Sequence, residues 1–389
     1  MPATAWQTTM TIAPTEPAPI IPDRDPTHTP VIPERDPTHT PVLPDVDPTR
    51  EPDDQPVSPL DVAGLDVDGL AFALDRALDV GSDRALWALA DVEPVDERDE
   101  LLALATVHEL FLGSIDGQRH RIRFQHHPAV AALKGRLEAA FLDRVAGPAG
   151  EYFDRLSLEH DELRLIEGAG ADATVGVLRA IAAREQVPEV YDWLATSADE
   201  DQTRWYLSLE GGPDGTFDDL VALCQVGLGG EPKLELAVNY WDEMGTGDPD
   251  LVHTELHEVA RRALGLWDFA PTDLPVEALR RSVLVTTLAT NRSLQPELVG
   301  ALGLTELQAG PRCRKVVAAL ERLGSPPEAV PFYAEHAVAD PRHGKDWLDH
   351  VAAPLARDQW WAEGMVRGAR WRWCTNRSFF EAAQRLCAS

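Results

Sequence analysis

The sequence is short of thiols, positive charge and long apolar runs, and each shortage excludes something. Its four cysteines, Cys224, Cys313, Cys374 and Cys387, are scattered through 389 residues without CxxC spacing. That argues against a zinc knot or a disulfide framework and fits a reducing compartment. No run approaches eighteen apolar residues, so no transmembrane helix is expected. A basic segment leading into an apolar one is missing from the N-terminus, so no secretory signal is expected, and the expected location is cytoplasmic. Lys and Arg number 35 against 65 Asp and Glu, a formal net charge of −30. Such a surface repels nucleic acid and anionic membranes, and neither is expected as a partner. The chain also lacks a Gly-x-Ser-x-Gly elbow, a Walker loop and a Gly-x-Gly-x-x-Gly fingerprint. Gly227-Leu-Gly-Gly230 reads as a joint between helices.

Proline, by contrast, is concentrated. Residues 1–57 hold 14 of the 31 prolines and repeat an eleven-residue unit, Ile21 to Val31 and then Ile32 to Val42, with a decayed third copy from Leu43 to Asp53. Proline at this density removes amide donors and favours extended polyproline II, so a disordered tail is expected. His28 and His39 recur with the repeat and are discounted as ligands. The tail holds ten acidic and three basic residues, leaving the remainder near −23. From Leu60 onward apolar residues recur every three and four positions. Helices are expected from Leu60, over Asp96 to Leu112, and from Pro128. Further ones follow over Thr174 to Arg184, Pro188 to Thr196, Asp199 to Glu210, Phe217 to Val226 and Pro232 to Met244. The set closes with Asp248 to Leu264, Pro275 to Thr290, Ser325 to His343 and Lys345 to Arg370. Pro232 to Met244 is apolar on nearly every turn, which suggests a central helix. His120 to Phe124 alternates like a strand but stands alone and is treated as a loop. The expected fold class is all-α, a helical bundle. Three parts are expected: a proline-rich tail at 1–57, a helical segment at 58–145 packing on the core, and a main domain at 146–389.

Chemistry concentrates in Tyr333-Ala-Glu-His336-Ala-Val-Ala-Asp340-Pro-Arg-His343. On a helix, positions i, i+4 and i+7 lie at about 0°, 40° and −20° around the axis, so His336, Asp340 and His343 point one way. Two imidazoles and a carboxylate make half of a first-row transition-metal site, and other helices must supply the rest. A second candidate runs from Asn239 to His257. Glu243 and His253, in an unbroken helix, would be about 15 Å apart along the axis. Gly245-Thr-Gly247 breaks the pattern, and Asp248-Pro249 reads as an N-cap followed by proline at the first helical position. Glu243 is therefore expected to close one helix, with His253 in the second turn of the next and both side chains brought to one point. His257 is a rival ligand one turn on. The order His-x-Glu-x-His is not that of a zincin. His126-His127 has no carboxylate at useful spacing.

These residues resemble the haem-oxygenase-like diiron oxidases, also labelled iron-containing redox enzymes. The resemblance rests on Asp242-Glu243-Met-Gly-x-Gly followed by His253, on His336-x-x-x-Asp340-x-x-His343, and on Gly368-Ala-Arg-Trp-Arg-Trp followed by Phe379-Phe380. It covers about residues 130–389. It implies a haem-oxygenase-like bundle holding two Fe(II) ions with three carboxylates and three histidines and using O2 as co-substrate. Glu243, His253, His336, Asp340 and His343 are then five of six ligands. The sixth is a glutamate upstream of Glu243, for which Glu210 is the choice and Asp218 or Asp219 the alternatives. Tyr240 and Tyr333 are candidate cavity residues. Mixed imidazole and carboxylate donors suit iron or manganese, and the absence of thiolate disfavours structural zinc. Pro341 removes a helical hydrogen bond inside the triplet, at a cost of about 3 kcal/mol. A kinked helix, or one over residues 333–344 that completes folding on metal binding, is expected.

The leading expectation is an O2-dependent diiron oxidoreductase acting on a small organic substrate, amino-acid-derived or fatty-acid-like. The alternative is a non-catalytic helical scaffold or binding protein with a degenerate metal site. A haem-binding protein on the same scaffold would need one proximal histidine rather than a cluster. A homodimer, and a protein partner for the proline-rich tail, are left open.

Overall fold

The computed structural model describes residues 65–146, 165–184, 187–211 and 217–387. The proline-rich tail and the first residues of the helix expected from Leu60 lie outside them. Among the described residues there is no strand, and the fold is all-α. Residues Ser58–Ser389 hold together as one compact unit. Numbering helices of seven or more described residues, the first four are α1 (Leu65–Val80), α2 (Asp83–Leu89), α3 (Glu97–Leu112) and α4 (Pro128–Ala146). After them come α5 (Ala171–Ala183), α6 (Glu189–Thr196), α7 (Glu200–Gly211), α8 (Phe217–Cys224) and α9 (Gly230–Glu243). The rest are α10 (His253–Leu264), α11 (Val276–Ala289), α12 (Gln295–Leu323), α13 (Pro331–Asp346) and α14 (Gln359–Cys387). The segment around His120 is a short 3-10 turn over Ile122–Phe124.

The centre of the bundle is α12, which packs against α13, α14, α6, α11 and α5. This corrects the expectation for Pro232 to Met244. In α9, Leu234, Val238 and Trp241 are exposed at 70%, 53% and 52%, so its apolar positions surround the helix without all being covered. The central helix escaped periodicity because Gly300, Gly303, Gly310 and Pro311 interrupt its pattern. Those same residues make it central. A Cβ on Gly300 would lie 2.0 Å from the carbonyl oxygen of Met365, and one on Gly368 would lie 1.9 Å from that of Glu297. The backbones of α12 and α14 thus meet with no side chain between them, a contact only glycine permits.

Small residues also position α13. Pro341 lies inside the helix, where its ring deprives the carbonyl of residue 337 of an amide partner. Arg314, on α12, donates to the Ala337 carbonyl instead, at 3.0 Å. Gly310 faces the Pro341 ring, and a Cβ there would sit 2.8 Å from Pro341 Cδ. The helix runs on through the proline to Asp346, and a π-helical turn over Trp347–Ala352 follows. The N-terminal helices join the bundle mainly through α3 against α11.

Candidate metal centre

The chain break after Glu243 is the local feature on which the site depends. Helix α9 ends at Glu243. Gly245 and Gly247 take φ of 59° and 92°, and between them Thr246 is also left-handed, at 53°. Positive φ is costly for residues with a Cβ, which explains the glycines. A Cβ on Gly245 would meet the Leu251 carbonyl carbon at 2.5 Å. Two 3-10 turns follow, the second capped by Asp248 through the Asp250 amide. Helix α10 then starts at His253 itself, one turn earlier than expected for that residue. The loop folds back so that His253 Nδ1 lies 2.8 Å from Glu243 Oε2, both side chains buried.

Two groups of donor atoms converge here, each with its atoms within 4.8 Å of one another: Glu243 with His253 and His336, and Glu243 with Glu306 and His343. Glu243 is common to both. Asp340 joins the second group, its Oδ1 lying 3.9 Å from His343 Nδ1. Glu306 Oε2 lies 3.7 Å from the same nitrogen. Five of the six expected residues are therefore brought to one place. Glu210 is not in either group: its carboxylate accepts a hydrogen bond from the Tyr191 hydroxyl. Asp218 is half-buried and electrostatically felt by Glu243, while Asp219 is exposed. His257 packs its ring against Phe332, outside both groups.

Glu306 was missed at the sequence level. It lies on α12, which periodicity did not reveal. One signal was available: it is the lone charge in the otherwise apolar or small run Leu298 to Leu307, where a carboxylate needs a strong partner.

Neighbouring groups hold the donors in orientation. His336 Nδ1 lies 2.7 Å from the Phe332 carbonyl, which must accept its proton, so Nε2 is the nitrogen left bare. His343 Nε2 lies 3.0 Å from Asp242 Oδ2, an arrangement that leaves Nδ1 bare. Arg342 donates to the same Asp242 oxygen. Asn239 donates to Glu306 Oε1 at 2.9 Å, leaving Oε2 to face His343. His336, His343 and Glu306 thus each have one atom tied down and another turned inward.

The inward atoms test whether a metal fits. His343 Nδ1 and Asp340 Oδ2 are buried and have no hydrogen-bond partner, and His253 Nδ1 faces the Glu243 carboxylate. Buried polar atoms are almost always paired, and two orphans at one point suit a cation that both can ligate. Imidazole and carboxylate donors without thiolate suit iron. Protonation follows the same crowding. Burial, aided by the neighbouring Glu243 charge, outweighs the attraction to His343 and pushes Glu306 up to about 7. Burial and the charges of Glu306 and Glu243 hold Asp340 well above the usual carboxylate range. Burial works to lower His253, but the adjacent Glu243 carboxylate wins and raises it. His336 goes the other way, lowered chiefly by burial.

A cavity of about 170 Å³ opens beside these donors. Tyr333 is in its lining, whereas Tyr240 packs against the core outside it.

Residues 204–375 match the family model of the iron-containing redox enzymes. The matched segment runs from α7 into α14 and holds every donor described above. Together the match and the two donor groups support an iron redox enzyme. No curated protein was found to match the chain. No helix among the described residues is long and apolar enough to cross a membrane.

Proposed function

We propose that the protein is a non-haem diiron oxidase or oxygenase that uses dioxygen to oxidise a small organic molecule. The observation that carries this reading is the sharing of Glu243 between two donor groups. One iron would be held by Glu243, His253 and His336, and the other by Glu243, Glu306, Asp340 and His343. Glu306 takes the place for which Glu210 was first expected. When bound, a pair of ferrous ions supplies the electrons that reduce dioxygen. The residues of the chain do the rest. Phe332, Asp242 and Asn239 fix which atoms of His336, His343 and Glu306 face inward. Leu207, Val316 and Phe332 give the cavity an apolar wall, which keeps water from the reacting groups. A scaffold with a degenerate site is disfavoured because the orphaned donors remain buried, where they cost stability without an ion. The cysteine spacing favours a cytoplasmic setting.

Anaerobic titration with Fe(II) tests the assignment. Two irons per chain and a transient visible absorption on admitting air are expected. Glu306→Gln should lower the stoichiometry to one or fewer, while Glu210→Gln leaves two. The reverse pattern would return the sixth place to Glu210. An unchanged stoichiometry in His336→Ala would sink the whole reading.

A further inference from the structure

The end of the cavity away from the donor cluster carries charge that the metal centre does not use. Arg312 lines it and is only 7% exposed. It lies six residues after Glu306 on α12, about 9 Å further along the helix axis and about 120° round it. Its Nη2 donates to Gln308 Oε1, and its guanidinium lies over the Tyr191 and Phe380 rings, 5.9 and 4.7 Å from their centroids. Its Nε–H, buried, has no hydrogen-bond partner. Among the described residues no ion pair joins Arg312 to a carboxylate. Arg281 lines the same end, donating to the Glu210 carbonyl and to Asn376. Among the described residues lining the cavity, Glu210 is a carboxylate outside the donor groups, and it accepts from the Tyr191 hydroxyl. The cavity's other acid outside the donor groups, Asp218, is an electrostatic neighbour of Glu243 instead. A buried cation without a counter-charge is strongly unfavourable.

We propose that Arg312 is the anchor for the carboxylate of the substrate, which is a small carboxylic acid with a compact apolar body. This rests on the proposed diiron reading for its chemistry but not for its binding. A guanidinium matches a planar carboxylate better than any other side chain, and does so most strongly when buried. Leu207, Val316 and Phe332 line the same cavity as Arg312 and the donors. A cavity of about 150 Å³ holds benzene, so the volume here suits a body of about one ring. The acid group held at Arg312 leaves the opposite end of such a molecule facing Glu243, Glu306 and His336. Arg312 would then set both which molecules enter and which of their atoms is presented.

Calorimetric binding of 3-phenylpropionate and 4-methylpentanoate to the full chain, beside 3-phenylpropanamide, tests this directly. The wild-type protein should bind at least one acid about tenfold or more tightly than the amide, as expected for a hydrogen-bonded charge. Arg312→Gln, checked for retained helical circular dichroism, should lose that preference, and Arg312→Lys should keep part of it. The protein stripped of iron by a chelator should bind the acid as the iron-loaded protein does. Equal binding of acid and amide, no binding of either acid, or an Arg312→Gln protein that keeps the preference would overturn the proposal. So would loss of acid binding on stripping iron, which would put the carboxylate on the metal centre. The acid-over-amide preference needs no variant, so it decides the matter even if Arg312→Gln does not fold. A protein that takes up no iron yet binds acids through Arg312 would sink the diiron reading and leave this one standing.

Discussion

Asp242 ligates nothing in the proposed centre, yet it decides which nitrogen of His343 is available. A carboxylate on the far ring nitrogen of a ligating histidine fixes its tautomer and raises its basicity, and losing such a partner commonly costs 10–100-fold in metal affinity. Asp242→Ala is therefore expected to weaken iron binding by about that factor while preserving the fold, measured by competition with a chelator. Protons give a second prediction at this scale. Glu306, raised to about 7, must lose its proton to ligate, and so must Asp340 and His253, both raised. Metal and proton compete, so Fe(II) affinity should fall as pH drops below about 7, by about tenfold per unit for each proton displaced. Titrations between pH 6 and 8 in buffers of different ionisation enthalpy would show proton release on binding; no release would contradict the assignment. At this scale most of the site was legible. His336, Asp340 and His343 stand at helical spacing, and Glu243 and His253 flank an evident glycine break. Glu306 was not, because nothing near it in the sequence marks it; its partners Asn239 and His343 are 67 and 37 positions away.

At the scale of the element, α13 carries three of the proposed ligands and a proline. Arg314 supplies the hydrogen bond that Ala337 loses, and Gly310 makes room for the Pro341 ring. Both supports come from α12, so the segment depends on its neighbour rather than on its own hydrogen bonds. The orphaned donors at His343 and Asp340 add to its cost until something ligates them. Amide exchange over residues 333–344 should slow on adding Fe(II), more than in α11, which carries no proposed ligand. Equal rates with and without metal would show that α13 is complete without it. Most other helices were readable from periodicity, but α2 was not expected and α14 runs 17 residues past the expected end at Arg370. In α12 close packing selects glycine and so erases the apolar pattern that close packing usually leaves.

For the molecule as a whole, a buried polar network ties the N-terminal helices to the bundle. His108 on α3 lies 2.9 Å from Glu138 Oε1 on α4 and 2.8 Å from Thr286 on α11. Lys134 and Asn291 donate to the same Glu138. Burial, only partly offset by Glu138, lowers the His108 pKa, and burial is outweighed at Glu138 by its His108 and Lys134 partners, which lower it. Removing one member leaves others buried without partners. His108→Ala should thus destabilise the fold by about 1–3 kcal/mol, read from denaturant unfolding, while iron stoichiometry stays at its wild-type value. A loss of iron together with His108 would mean that the N-terminal helices shape the metal centre as well.

The sequence by itself determined the helical class, the break after Glu243 and the donor face of α13, because each follows from spacing within one or two turns. Only the tertiary structure decided which helix lies at the centre, that Glu306 rather than Glu210 stands among the donors, and that Arg312 is buried beside the cavity. Those depend on which backbones approach closely enough to exclude side chains and water, and that is set by contacts between residues far apart in the chain.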